Sequence, residues 1–378
     1  MVGYDVWFMA TYHPRSSAEV ASLLQDAAAQ GQSVTVRGSG TKDRMAGPLT
    51  PAERIINMTG MDRVLQYEPR DLTISVEAGM RWSLLCSVLS RNGQMIPLDP
   101  PFAEHATVGG VVSANTAGPR RRLYGTARDV VIGMQFATLE GKLIQSGGMV
   151  VKNVAGLDMA KLMIGSFGTL AAIAVVNFKL MPSPVYSATF VRRFESLRDV
   201  MQFRDGLLTS TLQPASIDIL NPAASERLGL SGWNTAIHVD GPNESVMQRY
   251  ASELGGDVAP REFLFQLANF TPRFLIECPE GTITRVSTTL DGIVKAMENA
   301  DGPAIARAGN GIVYRYAVAG NGGLLEGEKG AIEYAPDHLK TTLDLWPAPG
   351  SDFEIMKRIK GMFDPGNLLN RGRLYGRI

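Results

Sequence analysis

The run Gly38-Ser39-Gly40-Thr41-Lys42 follows a short β-branched stretch from Ser33 to Arg37. Glycines let a backbone approach a ligand closely and turn successive N–H groups towards an anion. Arg37 and Lys42 add positive charge. The chemistry that suits this loop is phosphate binding. A Walker loop is excluded, because no Gly-Lys-Ser/Thr follows a glycine at the required spacing. A Rossmann turn needs a third glycine and a following helix; here Pro48 and Pro51 follow instead. On this loop alone, a surface turn and a phosphate cradle fit equally well.

A second segment shifts the balance. Ala106-Thr107-Val108-Gly109-Gly110-Val111-Val112-Ser113-Ala114-Asn115 is almost wholly small or β-branched, and Ala117-Gly118 and Tyr124-Gly125 follow closely. Further on come Gly147-Gly148-Met149 and Gly165-Ser166-Phe167-Gly168-Thr169-Leu170, the latter leading into a strand-like run from Ala171 to Phe178. Small side chains along such a wall permit contact with a large flat ligand. A tightly packed sheet corner collects glycines too.

Groups for acid–base or metal chemistry are sparse. The histidines are His13, His105, His238 and His338, and no two stand at metal-ligand spacing. His105 is the best single candidate for a polar role at the small-residue wall. His238 lies in a strand-like run and reads as structural; His13 and His338 read as loop or cap positions. Cys86 and Cys278 are far apart and cannot by themselves form a zinc or iron–sulfur site. No metal site is expected. Such sparse cysteine usage fits a reducing compartment. Trp82, Trp233 and Trp346 read as core or interface anchors.

The elements that must position these groups are legible in part. Ser16 and Glu19 form a capping box, and Val20, Leu23, Leu24, Ala27 and Ala28 share one helical face that Gly31 ends. Strands are expected at Arg54–Asn57 and Thr73–Gly79, a helix from Arg81 to Arg91, and a hairpin turn at Leu139–Leu143. Met181-Pro182-Ser183-Pro184 is the clearest boundary. The expected division is 1–184, 185–335 with alternating helices and strands, and a C-terminal segment 336–378. That last segment carries a helix and then Phe363-Asp364-Pro365.

Composition sets outer limits. The 378 residues are 45% hydrophobic, enough for more than one lobe and too apolar for disorder. Lys plus Arg and Asp plus Glu balance at 37 each, so no basic excess points to nucleic acid. The run Arg120-Arg121-Arg122 is too short to change that. No secretion signal is read at the N-terminus, where Asp5 stands. The longest uncharged stretch, Leu162 to Phe178, is short for a membrane span and is read as a turn followed by a strand.

The ordered set Arg37–Lys42, Thr107-Val108-Gly109-Gly110, Val151-Lys152-Asn153-Val154-Ala155-Gly156-Leu157-Asp158, Lys161–Leu170 and Phe363-Asp364-Pro365 resembles the FAD-linked oxidases typified by vanillyl-alcohol oxidase. Within them it is similar to the FAD-binding subunits of bacterial glycolate-oxidase complexes. The resemblance covers residues 12–182 and the last 20 or so well, and the middle weakly. It implies an α+β fold: two FAD-binding subdomains plus a smaller α/β cap lobe. Arg37, Gly38, Ser39, Gly40, Thr41 and Lys42 would hold the pyrophosphate. Pro100, Thr107, Gly109, Gly110, Ser113, Ala114, Gly118 and Gly125 would line the pyrophosphate, ribityl chain and flavin. Gly168, Thr169 and Ile173 would reach the adenosine half, and the tail would return to the flavin domain near Asn370. Three departures stand out: Leu157 for the usual Tyr, Leu170-Ala171 for Leu-Gly, and Asn370-Arg371-Gly372-Arg373 for Asn-Pro-Gly-Arg.

Catalytic relatives carry a His-x-Gly-Asp-Gly-Asn motif in the substrate lobe. Here the stretch is Arg307-Ala308-Gly309-Asn310-Gly311. Arginine is no base near neutral pH. It can bind a carboxylate, although a surface ion pair or subunit contact is the more common use. The weak catalytic candidates are therefore His105, Arg307 and His338. The resemblance implies non-covalent FAD, since residues 37–42 contain neither His nor Cys. It also implies a larger sister flavoprotein and an iron–sulfur subunit as partners, a small 2-hydroxy acid as substrate, and a cytoplasmic location, peripheral to the inner membrane through the complex. A self-sufficient 2-hydroxy-acid dehydrogenase and a structural subunit without FAD are the alternatives.

Overall fold

The structure, a computed structural model, describes residues 10–149, 157–319, 322–376 and 378. Asp5 and the stretch from Val150 to Gly156, part of the expected flavin wall, lie outside the described residues.

The first helix, Ser17–Ala29, buries Val20, Ala21, Leu24 and Ala27. Ser16 caps it by accepting from the Glu19 N–H. The Glu19 carboxylate accepts from the Arg15 N–H at 2.9 Å, one residue before the partner a capping box would use. Gly31 follows at φ +62°, the left-handed geometry that ends a helix. The helix packs with Ile56, Ala172, Ala174 and Val175. Beside it, Val34–Arg37 and Ala10–Tyr12 flank Arg54–Asn57 in a three-stranded parallel sheet.

A five-stranded antiparallel sheet comes next, ordered Val64–Glu68, Thr73–Glu77, Ala172–Lys179, Val131–Ala137, Leu143–Gly147. The expected hairpin is present: Phe136 faces Ile144, and the turn has Gly141 at φ +76°. The helix Trp82–Ser90 lies against this sheet, with Trp82 edge-on to Phe178. The segment 106–115 is not a sheet corner. Val108–Ala114 forms a short helix capped by Thr107 and closed by Asn115 in the left-handed region.

The third sheet spans residues 186–334 and has eight strands. From edge to edge they are Asp257–Val258, Tyr186–Phe194, Trp233–Gly241, Ser216–Leu220, Ala304–Arg307, Ile312–Ala317, Thr282–Ser287 and Lys329–Tyr334. Every pairing is antiparallel. Directly opposed residues share a face. Asp218 opposes Arg307, Ile305 opposes Tyr314, and Tyr314 opposes Arg285, so one face collects charge and phenol. The segment after the glycine loop meets this sheet at its edge: Met45 bridges to Tyr334, and the Ala46 N–H donates to the Glu333 carbonyl at 3.1 Å.

The last helix, Asp352–Phe363, ends at a buried pair. Lys360 donates to Asp364 at 2.7 Å and to the carbonyls of Thr169 and Leu369. Asp364 in turn accepts from the Leu368 and Leu369 amides. This knot turns the tail onto the strand Val34–Arg37. Val34 donates to the Leu368 carbonyl, and Asn370 donates back to the Val34 carbonyl.

Candidate functional site

The glycine loop leaves the C-terminal end of the strand Val34–Arg37 and folds over the N-terminus of the helix Val108–Ala114. A Cβ at Gly38 would sit 2.2 Å from Thr107 Oγ1; only glycine lets the two segments touch. Gly40 is at φ +79°. Ser39 Oγ donates to the His105 carbonyl, which ties the loop to the second segment. The amides of Gly38, Ser39, Gly40, Thr41 and Lys42 donate to no described protein group. All five residues line one cleft, together with Thr107, Gly110, Ser113, Ala114, Phe167 and Asn370. Unpaired backbone N–H groups need an acceptor, and an anion such as a pyrophosphate supplies one.

Lys42 is buried, and its ammonium donates to the Pro101 carbonyl at 2.8 Å. Burial brings its pKa down to about 7, against the opposing pull of Glu333. Asn370 accepts from the Val36 N–H at 2.8 Å and donates to the Phe167 carbonyl at 2.7 Å. It thereby joins the tail, the glycine loop's strand and the Phe167 turn. Gly168, at φ +71°, leaves room for that amide: a Cβ would stand 2.6 Å from Asn370 Nδ2.

This cleft continues, through the shared residues Ala114 and Phe167, into a larger one of about 290 Å³. Gly118 lines the larger cleft, and a Cβ there would meet the Asp99 carbonyl at 2.1 Å. Opposite stand Arg285, Arg307, Tyr314, Glu333 and Tyr334 from the eight-stranded sheet. Three buried polar atoms on the walls lack a partner: Asn115 Oδ1, Thr116 Oγ1 and Tyr334 OH. Unsatisfied buried groups are costly. Together with the unpaired amides, they fit a large ligand with polar edges, which is what a flavin dinucleotide is.

Several sequence-identified residues line neither cleft. Pro100 is buried while its neighbour Pro101 lines the larger one. Gly109 donates to the Ala78 carbonyl at 2.7 Å and serves close packing. Gly125 ends a one-turn helix at φ +80°. The Thr169 carbonyl accepts from Lys360, and Ile173 is a core residue of the five-stranded sheet.

The catalytic candidates fare differently. His105 is exposed and lines no cleft. His338 is at the surface beside Glu280, at 3.3 Å. His238 is structural, as read: it is buried between Thr189 and Asp240. Arg307 does form an ion pair, but a buried one on the cleft wall, with Asp218 at 2.8 Å. Burial works against its charge and Asp218 more than restores it, so its guanidinium is already neutralised.

Sequence reading missed Arg121, Arg285 and Glu333. All three line the larger cleft. Arg121 belongs to the run Arg120–Arg122, which was weighed only against nucleic-acid binding. Arg285 was hidden in Thr282–Ser287, where only strand pairing shows which way it faces. Burial lowers the Arg121 pKa and the neighbouring Arg285 lowers it further; burial raises that of Glu333. Neither arginine has a carboxylate within ion-pair distance among the described residues.

Residues 9–147 match the family described as an FAD binding domain. The chain is 29% identical to the glycolate oxidase subunit GlcE of Escherichia coli, over 91% of this chain and 93% of that one. It is 25% identical to the glycolate oxidase subunit GlcD of Bacillus subtilis, over 97% and 89%. It is 26% identical to a D-lactate dehydrogenase of Archaeoglobus fulgidus, over 97% and 91%. Among solved structures, a 4-ethylphenol oxidase from Gulosibacter chungangensis superposes with a TM-score of 0.72 at 16% identity, covering 97% of this chain and 89% of that one. An alkyldihydroxyacetonephosphate synthase gives 0.70 at 17% identity, covering 95% and 75%. No helix of the described residues is long and apolar enough to cross a membrane, and no cluster among them could hold a metal ion. The chain carries an FAD binding domain, has the fold of the vanillyl-alcohol-oxidase type, and is an oxidoreductase with FAD as its cofactor.

Proposed function

We propose that the chain is the FAD-binding subunit of a glycolate-oxidase-like 2-hydroxy-acid oxidoreductase, accessory to or passing electrons for a larger sister flavoprotein and an iron–sulfur subunit. The observation that carries this reading is the combination of an open cradle of unpaired amides at Gly38–Lys42 with Arg307 in place of a histidine. The likeness to GlcE over most of both chains supports it. On this reading residues 1–184 form the FAD-binding domain, 185–335 the cap on the substrate side, and 336–378 the segment that returns to the flavin. The complex works in the cytoplasm, against the inner membrane.

FAD, when bound, supplies a two-electron acceptor. The loop amides and Lys42 hold its pyrophosphate. Ala114, Gly118 and Phe167 give its flat part close contact, and Asn370 keeps the tail and the loop's strand in register. Arg307 is tied to Asp218 and takes no proton.

General-base catalysis is worth about 10²–10⁴-fold. Without the relatives' histidine, the lone holoprotein is expected to be reduced slowly or not at all by glycolate or D-lactate in anaerobic stopped-flow. Reduction should recover when the sister flavoprotein is added. Fast, saturable bleaching by the lone chain would overturn the accessory role. A second reading, in which the chain oxidises the acid itself, is favoured by one observation: Arg121, Arg285 and Glu333 share the cleft.

A further inference from the structure

The larger cleft can be balanced charge by charge. Arg121 and Arg285 are close enough to repel one another, and neither is ion-paired. Arg307 is cancelled by Asp218. Glu333 faces Arg285, Lys42 and Arg121, with no hydrogen bond to its carboxylate from a described group. Tyr334 brings a buried hydroxyl without a partner. Lys42 lines the neighbouring cleft rather than this one. Two unpaired guanidiniums against one carboxylate leave the cleft one positive charge in excess.

We infer that Arg121 and Arg285 clamp the carboxylate of a small hydroxy acid, and that Glu333 makes the site selective for monocarboxylates over dicarboxylates. Two guanidiniums match a carboxylate's two oxygens. Glu333 accepts a hydrogen bond from a hydroxyl on the ligand and repels a second carboxylate at that end, as an unpaired like charge does in a confined site. The inference rests on the second reading above, in which this chain itself takes the 2-hydroxy acid, and narrows it. The relatives do not decide the point, since they include D-lactate dehydrogenases and a D-2-hydroxyglutarate dehydrogenase.

The test uses the FAD-loaded full chain and two acids that have no hydrogen on C2 and cannot be oxidised there. These are 2-hydroxyisobutyrate, a monocarboxylate, and 2-methylmalate, its dicarboxylate counterpart. Binding is read by calorimetry and by the shift in the flavin absorption bands. The monocarboxylate should bind at least about tenfold more tightly, the scale of one charge-assisted hydrogen bond. Arg285→Gln and Arg121→Gln should each weaken it by about tenfold or more at unchanged flavin content, with Arg285→Lys recovering part of the loss. Glu333→Gln should bring 2-methylmalate to within about threefold of the monocarboxylate, because the repelling charge is gone. Equal binding of both acids by the wild type would overturn the charge selection alone. Binding of neither would remove the clamp and with it the second reading, in which this chain oxidises the acid itself, and would leave the accessory role standing. If Arg285→Gln lost flavin while its remaining holoprotein bound the acid normally, the arginines would belong to the cofactor and the clamp would fall. None of these outcomes depends on assembly with a sister subunit, which is scored separately by co-purification.

Discussion

Gly40 sits at φ +79°, and a Cβ there would come within 2.5 Å of Arg37 Nη2 and 2.9 Å of Asp43 Oδ2. Gly40→Val adds left-handed strain of about 1–3 kcal/mol and displaces the pair Arg37–Asp43 beside the loop. Flavin occupancy, read from the ratio of visible to ultraviolet absorbance, should fall to near zero; a folded variant with full occupancy would move the pyrophosphate elsewhere. Lys42 gives a pH signature at the same cleft. Its folded pKa is about 7 against 10.5 for the free side chain, chiefly through burial. The group therefore destabilises the empty protein at neutral pH, and that penalty fades as pH rises through the interval between the two values. A bound pyrophosphate favours the charged ammonium, so binding takes up a proton above pH 7. FAD affinity of the apoprotein should fall as pH rises from 7 to 9, approaching about tenfold per unit, and Lys42→Met should flatten the slope. A flat wild-type titration would separate Lys42 from the phosphate. The glycines of this loop were legible because they stand within one short run of consecutive residues. Arg285 and Glu333 were not, because they stand 48 positions apart in the chain (333 − 285) on strands that only the fold pairs.

Among the elements, the parallel strand Val34–Arg37, the hairpin around Gly141 and the helix Asp352–Phe363 could all be read from periodicity and turn residues. The segment Val108–Ala114 resisted that reading. Valines and glycines argue against helix, and tertiary packing overrides them: the Val108 and Gly109 amides are spent on the carbonyls of Met80 and Ala78, and Val108, Val111 and Val112 are fully buried. The tail was legible as a motif but not as a mechanism. Its role emerges only with Lys360, buried and held by Asp364 and two carbonyls. Asp364→Ala would leave that ammonium without its counter-charge and free two amides that Asp364 now satisfies. Removing one partner of a buried ion pair costs about 3–5 kcal/mol. Urea unfolding should show a midpoint lowered accordingly, and Asp364→Asn, which keeps an acceptor, should lose less. A wild-type midpoint in Asp364→Ala would mean the knot does not hold the tail.

At the scale of the whole molecule, the loop Gly38–Lys42 lies between a tail, a parallel sheet and a helix drawn from residues more than 300 positions apart. The eight-stranded sheet closes the larger cleft from the other side. That arrangement decides how the flavin is held. A covalent link through histidine or cysteine needs a ring nitrogen or thiol at the flavin. Among the described residues, no histidine and no cysteine lines either cleft. His105 comes nearest in sequence, yet only its backbone carbonyl takes part, through Ser39, while its ring is exposed. Cys278 is buried among the aromatic residues of the eight-stranded sheet's packing, and Cys86 is on the helix Trp82–Ser90. Without such a link the holoprotein would be held together by folding, and unfolding would remove the cradle and its cofactor together. Acid precipitation should leave yellow FAD in the supernatant and a colourless pellet. A pellet that stays yellow through denaturation would require a nucleophile to reach the flavin by a rearrangement of the Thr107 segment, and the two-cleft account of the site would have to be redrawn around it.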